Sequence, residues 1–213
     1  IDSIVKAAIE KYGSEVTKTD VRVSSVKIKL SSGEGAVSEL TIANPPGFSS
    51  PYVFSLAKIR ARIDARSVTG SPIVIDEIII SSPHAVSEIT ASGASNINIL
   101  KRNVQQSMQE TEKKEPKGKK HDKETRYHIR RLVIESGRIN VRVAALGDKP
   151  ETLTLRRIEM TGIGKGGGAT ANQVAEQVLS SLLEEVALSA ARHGAEQYLN
   201  REMDKAVKGL WRK

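Results

Sequence analysis

Apolar and polar residues alternate along much of the chain, and a period of two is typical of strands with one buried face. The segment AKIRARIDA (57–65) shows the pattern most clearly, because Ile59, Ala61 and Ile63 are separated by charged residues. Similar alternation predicts further strands within the segments 20–30, 36–48, 70–90, 127–146 and 152–163. The junctions SSGEGA and NPPGF are rich in turn-forming residues, which favours short connections between antiparallel strands.

The alternation changes phase inside the first of these segments. Val21 and Val23 are apolar at odd positions, whereas Val26 and Ile28 are apolar at even ones. An extra residue in one strand of an antiparallel pair produces such a shift, so we predict a β-bulge at residues 24–25.

Helical periodicity marks the start of the chain and the segment after the first group of strands. The N-terminal segment (1–15) places apolar residues such as Ile4 on one face, and we expect this helix to end at Gly13. A short polar helix is expected within 97–109. It gives way to a charged mobile loop, which we delimit as 105–126.

The last segment (170–210) carries apolar residues every four positions from Val174 onward, which predicts one long helix or two helices joined near Gly194. We therefore predict one α+β domain over residues 1–213. It consists of a curved, mainly antiparallel β-sheet with a short N-terminal helix and a long C-terminal helix. The strands fall into a first portion (20–104) and a second portion (127–163).

Composition narrows the chemistry that this fold can carry. The chain has no cysteine, so a disulfide framework and a thiolate metal site or nucleophile are excluded. Its histidines, at positions 84, 121, 128 and 193, lack metal-ligand spacing. The sequence also lacks a Gly-x-Ser-x-Gly motif and a convergent pair of carboxylates. We therefore predict neither catalysis nor a metal or cofactor.

The glycine-rich stretch TGIGKGGGATA (161–171) is similar to a dinucleotide-binding fingerprint in its glycine spacing. A true fingerprint opens a βαβ unit, but here the chain stays helical to its end. We interpret the stretch as a flexible joint between the last strand and the long helix. The joint comprises Gly162, Gly164, Gly166, Gly167 and Gly168.

The formal net charge of +8 and the sequence pI of 9.7 favour an anionic partner. Nucleic acid is not favoured, because only 3% of residues are aromatic and basic residues alternate with acidic ones. Arg60, Arg62, Arg138 and Arg142 would form a basic outer face, which in the simpler interpretation serves solubility. The C-terminal end mixes basic and aromatic residues, as membrane interfaces do. The predicted membrane-contact residues are Lys205, Lys208, Trp211, Arg212 and Lys213.

The order of motifs over residues 21–104 resembles that of the AsmA-like proteins of the bacterial envelope. The shared features are a strand ending in Asn-Pro-x-Gly-Phe (44–48), a strand of alternating Ile and charge, an Ile-rich strand ending in Pro83, and an Asn-Ile turn at 96–97. The later segment LRRIEMTGIGKGGGATANQVAEQVLSSL is similar to the ending of short family members. The large relatives are much longer and have many more strands.

The resemblance implies a periplasmic protein, anchored in the inner membrane by a segment ahead of Ile1, with a role in lipid transport or outer-membrane homeostasis. The implied partners are phospholipid or a membrane surface, and a larger envelope complex or a homo-oligomer. A β-groove would hold the lipid, and one-faced aliphatic strands are compatible with such a trough. The residues expected to line it are Ile28, Leu30, Leu40, Ile42, Ile59, Ile63, Ile78, Ile80, Ile139, Val141 and Val143.

Two alternatives to the trough stay open at this point. In the first, the apolar sheet face is an ordinary core filled by the long C-terminal helix. In the second, the protein is a structural or adaptor subunit that docks a larger membrane complex through that helix. An exposed apolar stripe on the helix would mark the adaptor.

Overall fold

The computed structural model describes residues 1–114, 125–144 and 150–210, and the side chains of all of these except 112–114 and 194–210. Its elements are helix α1 (Asp2–Thr17), strands β1 (Val21–Lys29), β2 (Glu34–Ala43), β3 (Tyr52–Ile63) and β4 (Ile73–Ile89), helix α2 (Asn96–Lys114), strands β5 (Tyr127–Ile134), β6 (Gly137–Val143), β7 (Glu151–Leu155) and β8 (Ile158–Ile163), and helix α3 (Ala171–Leu210). One turn of 3-10 helix (Ala65–Ser67) lies between β3 and β4. These bounds confirm the predicted α+β class and its short first and long last helices.

The sheet is mixed but mostly antiparallel. Strands β1 to β4 form an antiparallel meander. Strands β5 and β6 follow one another along the other side of β4 and both run parallel to it, with Ile73 paired to Tyr127 and His84 to Arg138. Strand β8 pairs antiparallel with β5, and β7 with β6. Because a parallel pair needs a crossover connection, α2 lies between β4 and β5 in the chain.

The predicted phase slip in β1 is confirmed, and it continues across three more strands. Ser24, Glu39, Ala57 and Ser82 are exposed and are absent from the cross-strand pairing. We call these four residues the phase-slip row. Glu39 and Ser82 have left-handed backbones, with φ of 50° and 52°. Because all four strands slip together, the β1–β2 register is unchanged across the row. The predicted bulge with one extra residue is therefore wrong.

Helix α1 does not end at Gly13 as predicted. It continues to Thr17, and Lys18 then takes a left-handed conformation with φ of 55°. A Cβ atom at residue 13 would lie 3.0 Å from Cγ1 of Val21. Glycine therefore lets the helix pack closely on β1, and it does not mark the helix end.

Helix α2 is longer and less polar than predicted. It extends to Lys114, so the part of the predicted loop from 105 to 114 is helical instead. Residues 115–124 lie outside the described part of the chain. Three side chains of α2, those of Ile97, Leu100 and Val104, are at most 3% exposed and join the hydrophobic core. Their spacing of three and four residues forms one apolar stripe on a helix whose other face is polar.

The three helices lie on the same face of the sheet and share one core with it. Helix α1 packs along β1, α2 packs against α3 and β4, and α3 also contacts α1 and β7. No helix packs to a comparable extent on β2 or β3 within the described residues. The inner face of these two strands therefore has room above it.

Candidate functional site

An apolar cavity of about 760 Å³ lies between the inner face of the sheet and the helices α1 and α3. Its volume is within the range of about 300–1,000 Å³ that is usual for small-molecule pockets. The floor is formed mainly by the part of the sheet between the phase-slip row and the β3–β4 connection, and it extends past the row to Val21, Leu40, Ile42 and Leu56. We call this cavity the groove.

The described residues that form the wall of the groove are almost entirely aliphatic, and none of them has a charged side chain. Helix α1 contributes Ile1, Ile4, Val5, Ala8, Ile9, Tyr12 and Gly13. The sheet contributes Val21, Val26, Ile28, Leu30, Gly35, Ala36, Val37, Leu40, Ile42, Leu56, Ile59, Ala61, Ile63, Ile73, Ile75, Ile78, Ile80, Tyr127, Ile129, Leu132 and Ile134. The β3–β4 connection adds Val68 and Thr69, and α3 adds Ala171, Val174, Ala175, Val178, Leu179 and Leu182.

Small residues in the floor help to make this space. Gly35 of β2 pairs with Ala61 of β3, which in turn pairs with Ile78 of β4. A Cβ atom at Gly35 would only reach ordinary contact, 3.4 Å from the Cβ of Ala61. Gly35 and Ala61 therefore leave a volume that larger side chains would occupy.

The first turn of α1 forms an apolar rim of the groove. Ile1 is 61% exposed and Ile4 is 71% exposed, the highest values for large apolar residues in the described part of the chain. At the other end, Val21, Leu40, Ile42 and Leu56 are at most 9% exposed and close the groove. The groove thus runs from an exposed apolar rim to a buried end.

Helix α1 is attached to the sheet by polar side chains that bond to the free edge of β1. Ser14 Oγ accepts a hydrogen bond from the Val21 amide at 2.9 Å, and Glu10 Oε1 accepts one from Val23 at 2.9 Å. Asp2 Oδ1 accepts from the Ile28 amide at 3.0 Å, and Lys6 Nζ donates to the Ser24 carbonyl at 3.3 Å. These four side chains recur every four residues. They satisfy edge groups that would otherwise be open to another strand.

The structure places eight of the eleven predicted lining residues on the groove wall, all of them in β1 to β4 or directly after β1. Ile139, Val141 and Val143 of β6 are not among the lining residues. Ile139 is fully buried in the core, and Val141 packs against that core. These three residues therefore lie outside the described groove wall, because β6 pairs with the part of β4 beyond the phase-slip row.

Sequence reasoning missed the walls contributed by α1, α3 and β5. The signals were present, since Ile4, Val5, Ala8 and Ile9 share one face of α1, and Val174 and Val178 begin the apolar series of α3. The long helix neither fills the groove nor leaves the whole face open. Its first turns line the groove, whereas Leu183 and Val186 are fully buried beyond it.

The glycine-rich stretch packs closely against the start of β5 and the residue before it at two positions. A Cβ atom at Gly164 would lie 2.2 Å from the Tyr127 carbonyl oxygen, and one at Gly168 would lie 2.5 Å from the Cβ of Arg126. Gly166 and Gly167 have open space around them. Tyr127 and Ala169 exchange two backbone hydrogen bonds of 2.8 Å. Flexibility of the joint stays a prediction, and it concerns the residues between these anchors.

Asn44 and Asn96, which belong to the motifs similar to those of AsmA-like proteins, form a buried polar network. This network lies on the opposite side of the phase-slip row from the groove floor. Asn44 Nδ2 donates to Glu88 Oε2 at 3.0 Å, and Asn96 Nδ2 donates to Asn44 Oδ1 at 2.9 Å. The Glu88 amide donates to Asn96 Oδ1 at 2.9 Å, and the Ser49 hydroxyl donates to the Glu88 carboxylate. These contacts join the turn after β2 to the start of α2, which is a structural role.

The outer face of the sheet carries paired charges. Arg131 Nε lies 2.7 Å from Glu159 Oε1, and Arg130 Nη1 lies 2.5 Å from Asp76 Oδ1. Hydrogen bonds from Arg131 and Arg157 lower the pKa of Glu159. Of the predicted basic set, Arg60, Arg62 and Arg138 are exposed, whereas Arg142 donates to Ser49 at 3.1 Å and lies 3.8 Å from Glu88.

The predicted membrane-contact residues lie at the limit of what the structure describes. Lys205 and Lys208 belong to α3, but their side chains are not described. Trp211, Arg212 and Lys213 lie outside the described residues. No helix within the described residues is long and apolar enough to span a membrane. Those residues also include no group of acidic and histidine side chains placed to hold a metal ion.

No protein-family model, no curated protein and no solved structure matches this chain. The similarity to AsmA-like proteins therefore stays a prediction from the motifs, and the functional argument depends on the groove itself.

Proposed function

We propose that this protein is a non-catalytic lipid-binding protein of the bacterial envelope, similar to short AsmA-like proteins, whose groove holds an acyl chain of a phospholipid. In this proposal it faces the periplasm from the inner membrane, where it takes part in lipid transport or outer-membrane homeostasis. The observation that carries the proposal is a groove of about 760 Å³ whose described lining residues include no charged side chain.

The groove suits an aliphatic ligand in chemistry and in energy. Each methylene group moved from water into such a wall contributes about 0.8 kcal/mol. About ten buried methylenes would therefore supply roughly 8 kcal/mol before the cost of ordering the chain and losing its free motion. The exposed apolar rim at Ile1 and Ile4 gives an acyl chain a place to enter from a membrane surface.

The adaptor alternative has less support from the described part of α3. An adaptor that docks through this helix should expose an apolar stripe on it. Among residues 171–193, Leu188 is the one large apolar side chain that is prominently exposed, at 43%. We therefore favour lipid binding.

Filling the groove tests the proposal. In Ala61→Phe, the new ring occupies the floor beside Gly35 and Ile78, so we expect the variant to lose bound lipid while it stays folded. Ala57→Phe is the matched control, because Ala57 lies on the same strand but is exposed and outside the groove wall. The measurement is native mass spectrometry after gentle extraction from membranes.

We expect phospholipid adducts on the wild type and on Ala57→Phe, and at least a tenfold smaller lipid-bound fraction on Ala61→Phe. A wild-type protein free of lipid under several detergents would refute lipid binding. Equal adducts on Ala61→Phe would show that the lipid binds elsewhere. Circular dichroism of each variant confirms that the comparison is made between folded proteins.

A further inference from the structure

Two tyrosine side chains stand out in the groove because the rest of its wall is so apolar. Tyr12 of α1, Thr69 of the β3–β4 connection and Tyr127 of β5 are the lining residues whose side chains can form hydrogen bonds. Thr69 is exposed, whereas both tyrosines are only partly exposed. Tyr12 and Tyr127 reach the groove from opposite sides, since α1 packs on β1 and β5 lies beyond β4.

Neither tyrosine hydroxyl has a hydrogen-bond partner among the described residues. Neither hydroxyl is fully withdrawn from solvent, so each can donate a hydrogen bond to a ligand in the groove that accepts one. Burial raises the pKa of Tyr127, and the proximity of Tyr12 raises it further. The Tyr127 hydroxyl therefore stays protonated at neutral pH and able to donate a hydrogen bond.

The uncharged wall limits what these donors can bind. An ionised group brought into the groove would lose its hydration and meet no oppositely charged side chain on the described wall. The groove therefore favours a neutral group that accepts hydrogen bonds from the tyrosines. In a lipid whose chain fills the aliphatic part, the group of this kind closest to the chain is the ester carbonyl.

We propose that Tyr12 and Tyr127 form a polar clasp that donates hydrogen bonds to the ester carbonyl of the bound lipid, so that the groove selects ester-linked over ether-linked chains. This inference rests on the proposed lipid binding. It adds the linkage chemistry that the groove recognises and the two residues that recognise it.

A matched pair of ligands tests the clasp. Palmitoyl lysophosphatidylcholine and its hexadecyl ether analogue have the same head group and differ at the carbonyl. Both are titrated below their micelle concentrations against the protein loaded with the apolar fluorophore N-phenyl-1-naphthylamine. For the wild type we expect the ester to displace the probe at a concentration about 2- to 10-fold lower than the ether does. This ratio corresponds to the net free energy of one hydrogen bond.

The variants separate the clasp from general effects on the groove. In Tyr12→Phe/Tyr127→Phe we expect the preference for the ester to disappear while the affinity for the ether is nearly unchanged. Tyr52→Phe is the control, because Tyr52 is a partly exposed tyrosine outside the groove wall, and it should keep the preference.

Two results would overturn the clasp without touching lipid binding: equal affinities for ester and ether in the wild type, or a preference that survives in the double variant. A protein that binds neither lipid would overturn the proposed function, and the clasp with it. The two failures are therefore distinguishable in one titration.

Discussion

The inner face of the sheet is divided by the phase-slip row into two regions that differ in what lies above them. On one side, Phe54, Ala85 and Ile139 are at most 1% exposed and pack in the core with Leu100 of α2. We call this side the packed half. On the other side, Ile59, Ile75 and Ile78 are half-buried and line the groove. We call this side the groove half.

The difference between the halves does not come from the strands alone, since the strands have inward apolar side chains on both sides of the row. It comes from the helices, because α2 contributes Ile97, Leu100 and Val104 to the packed half and no residue to the groove wall. A protein core is normally filled to the density of an organic crystal. An apolar face left partly uncovered departs from that density, as the proposed ligand surface requires.

Truncation of a core side chain should show the largest difference between the halves. Leu100→Ala removes a fully buried side chain from the packed half and should lower the free energy of unfolding by about 3–5 kcal/mol. Ile78→Ala in the groove half should cost only about 1–2 kcal/mol, because one side of Ile78 already faces empty space. Urea unfolding with an unchanged m-value measures both. Equal costs would mean that the groove half is packed as tightly as the other.

Acid should weaken the packed half through Glu88. Burial tends to raise the pKa of Glu88, but hydrogen bonds from Ser49, Ser50 and Asn44 outweigh it, and the net pKa is lowered. A carboxyl group with a lowered pKa in the folded state stabilises the fold above its unfolded pKa, and this contribution is lost as the pH falls through the folded value. Stability should therefore decline on acidification below the ordinary pKa of a glutamate.

Glu88→Gln tests this origin of acid sensitivity. It should cost about 1–2 kcal/mol at neutral pH, from the weakened hydrogen bonds, and should flatten the acid decline. Glu39→Gln, at an exposed position of the phase-slip row, is the control and should leave the decline unchanged. The measurement is the free energy of unfolding as a function of pH. An acid decline as steep in Glu88→Gln as in the wild type would contradict the assignment.

Substitutions at the polar side chains that attach α1 to β1 should change the free energy of unfolding least. The cost should differ between the two ends of the helix. Ser14→Ala leaves the Val21 amide, at the packed end of β1, without its partner and should cost about 1 kcal/mol. Asp2→Ala acts at the exposed rim of the groove half and should cost less than about 0.5 kcal/mol. Ser3→Ala is the neutral control, since Ser3 is exposed.

Amide hydrogen exchange reports the same contrast residue by residue. The Val21 amide should lose protection in Ser14→Ala, and the Ile28 amide should exchange faster than Val21 in the wild type. Equal protection of the two amides would show that the rim of the groove is as rigid as its closed end.

The sequence predicted the strands and the first and last helices because each carries a local period that one buried face requires. It also predicted the phase slip in β1, since Val23 and Val26 cannot both face inward in a regular strand. Alternation is the same for parallel and antiparallel strands, so the parallel pairing of β4 with β5 was not predicted. The end of α1 was predicted wrongly because Gly13 serves a close helix–strand contact.

The candidate site was predicted only in part, for a physical reason. Periodicity shows that Ile59 and Ile139 each face inward, but it does not show which helix covers them. That depends on long-range packing, in which α2 lies over one half of the sheet and not over the other. The tyrosines of the groove carry no local signal at all, since their role depends on the absence of other polar groups around them.

Photolabelling with a phospholipid that carries a diazirine midway along one acyl chain tests the central claim most directly. After illumination and residue-level mass spectrometry, the account predicts labels on groove residues such as Ile59, Ile78 and Val174. It predicts none on Phe54 or Leu100 of the packed half. Labels spread over both halves, or confined to the outer face, would contradict a groove that holds the acyl chain.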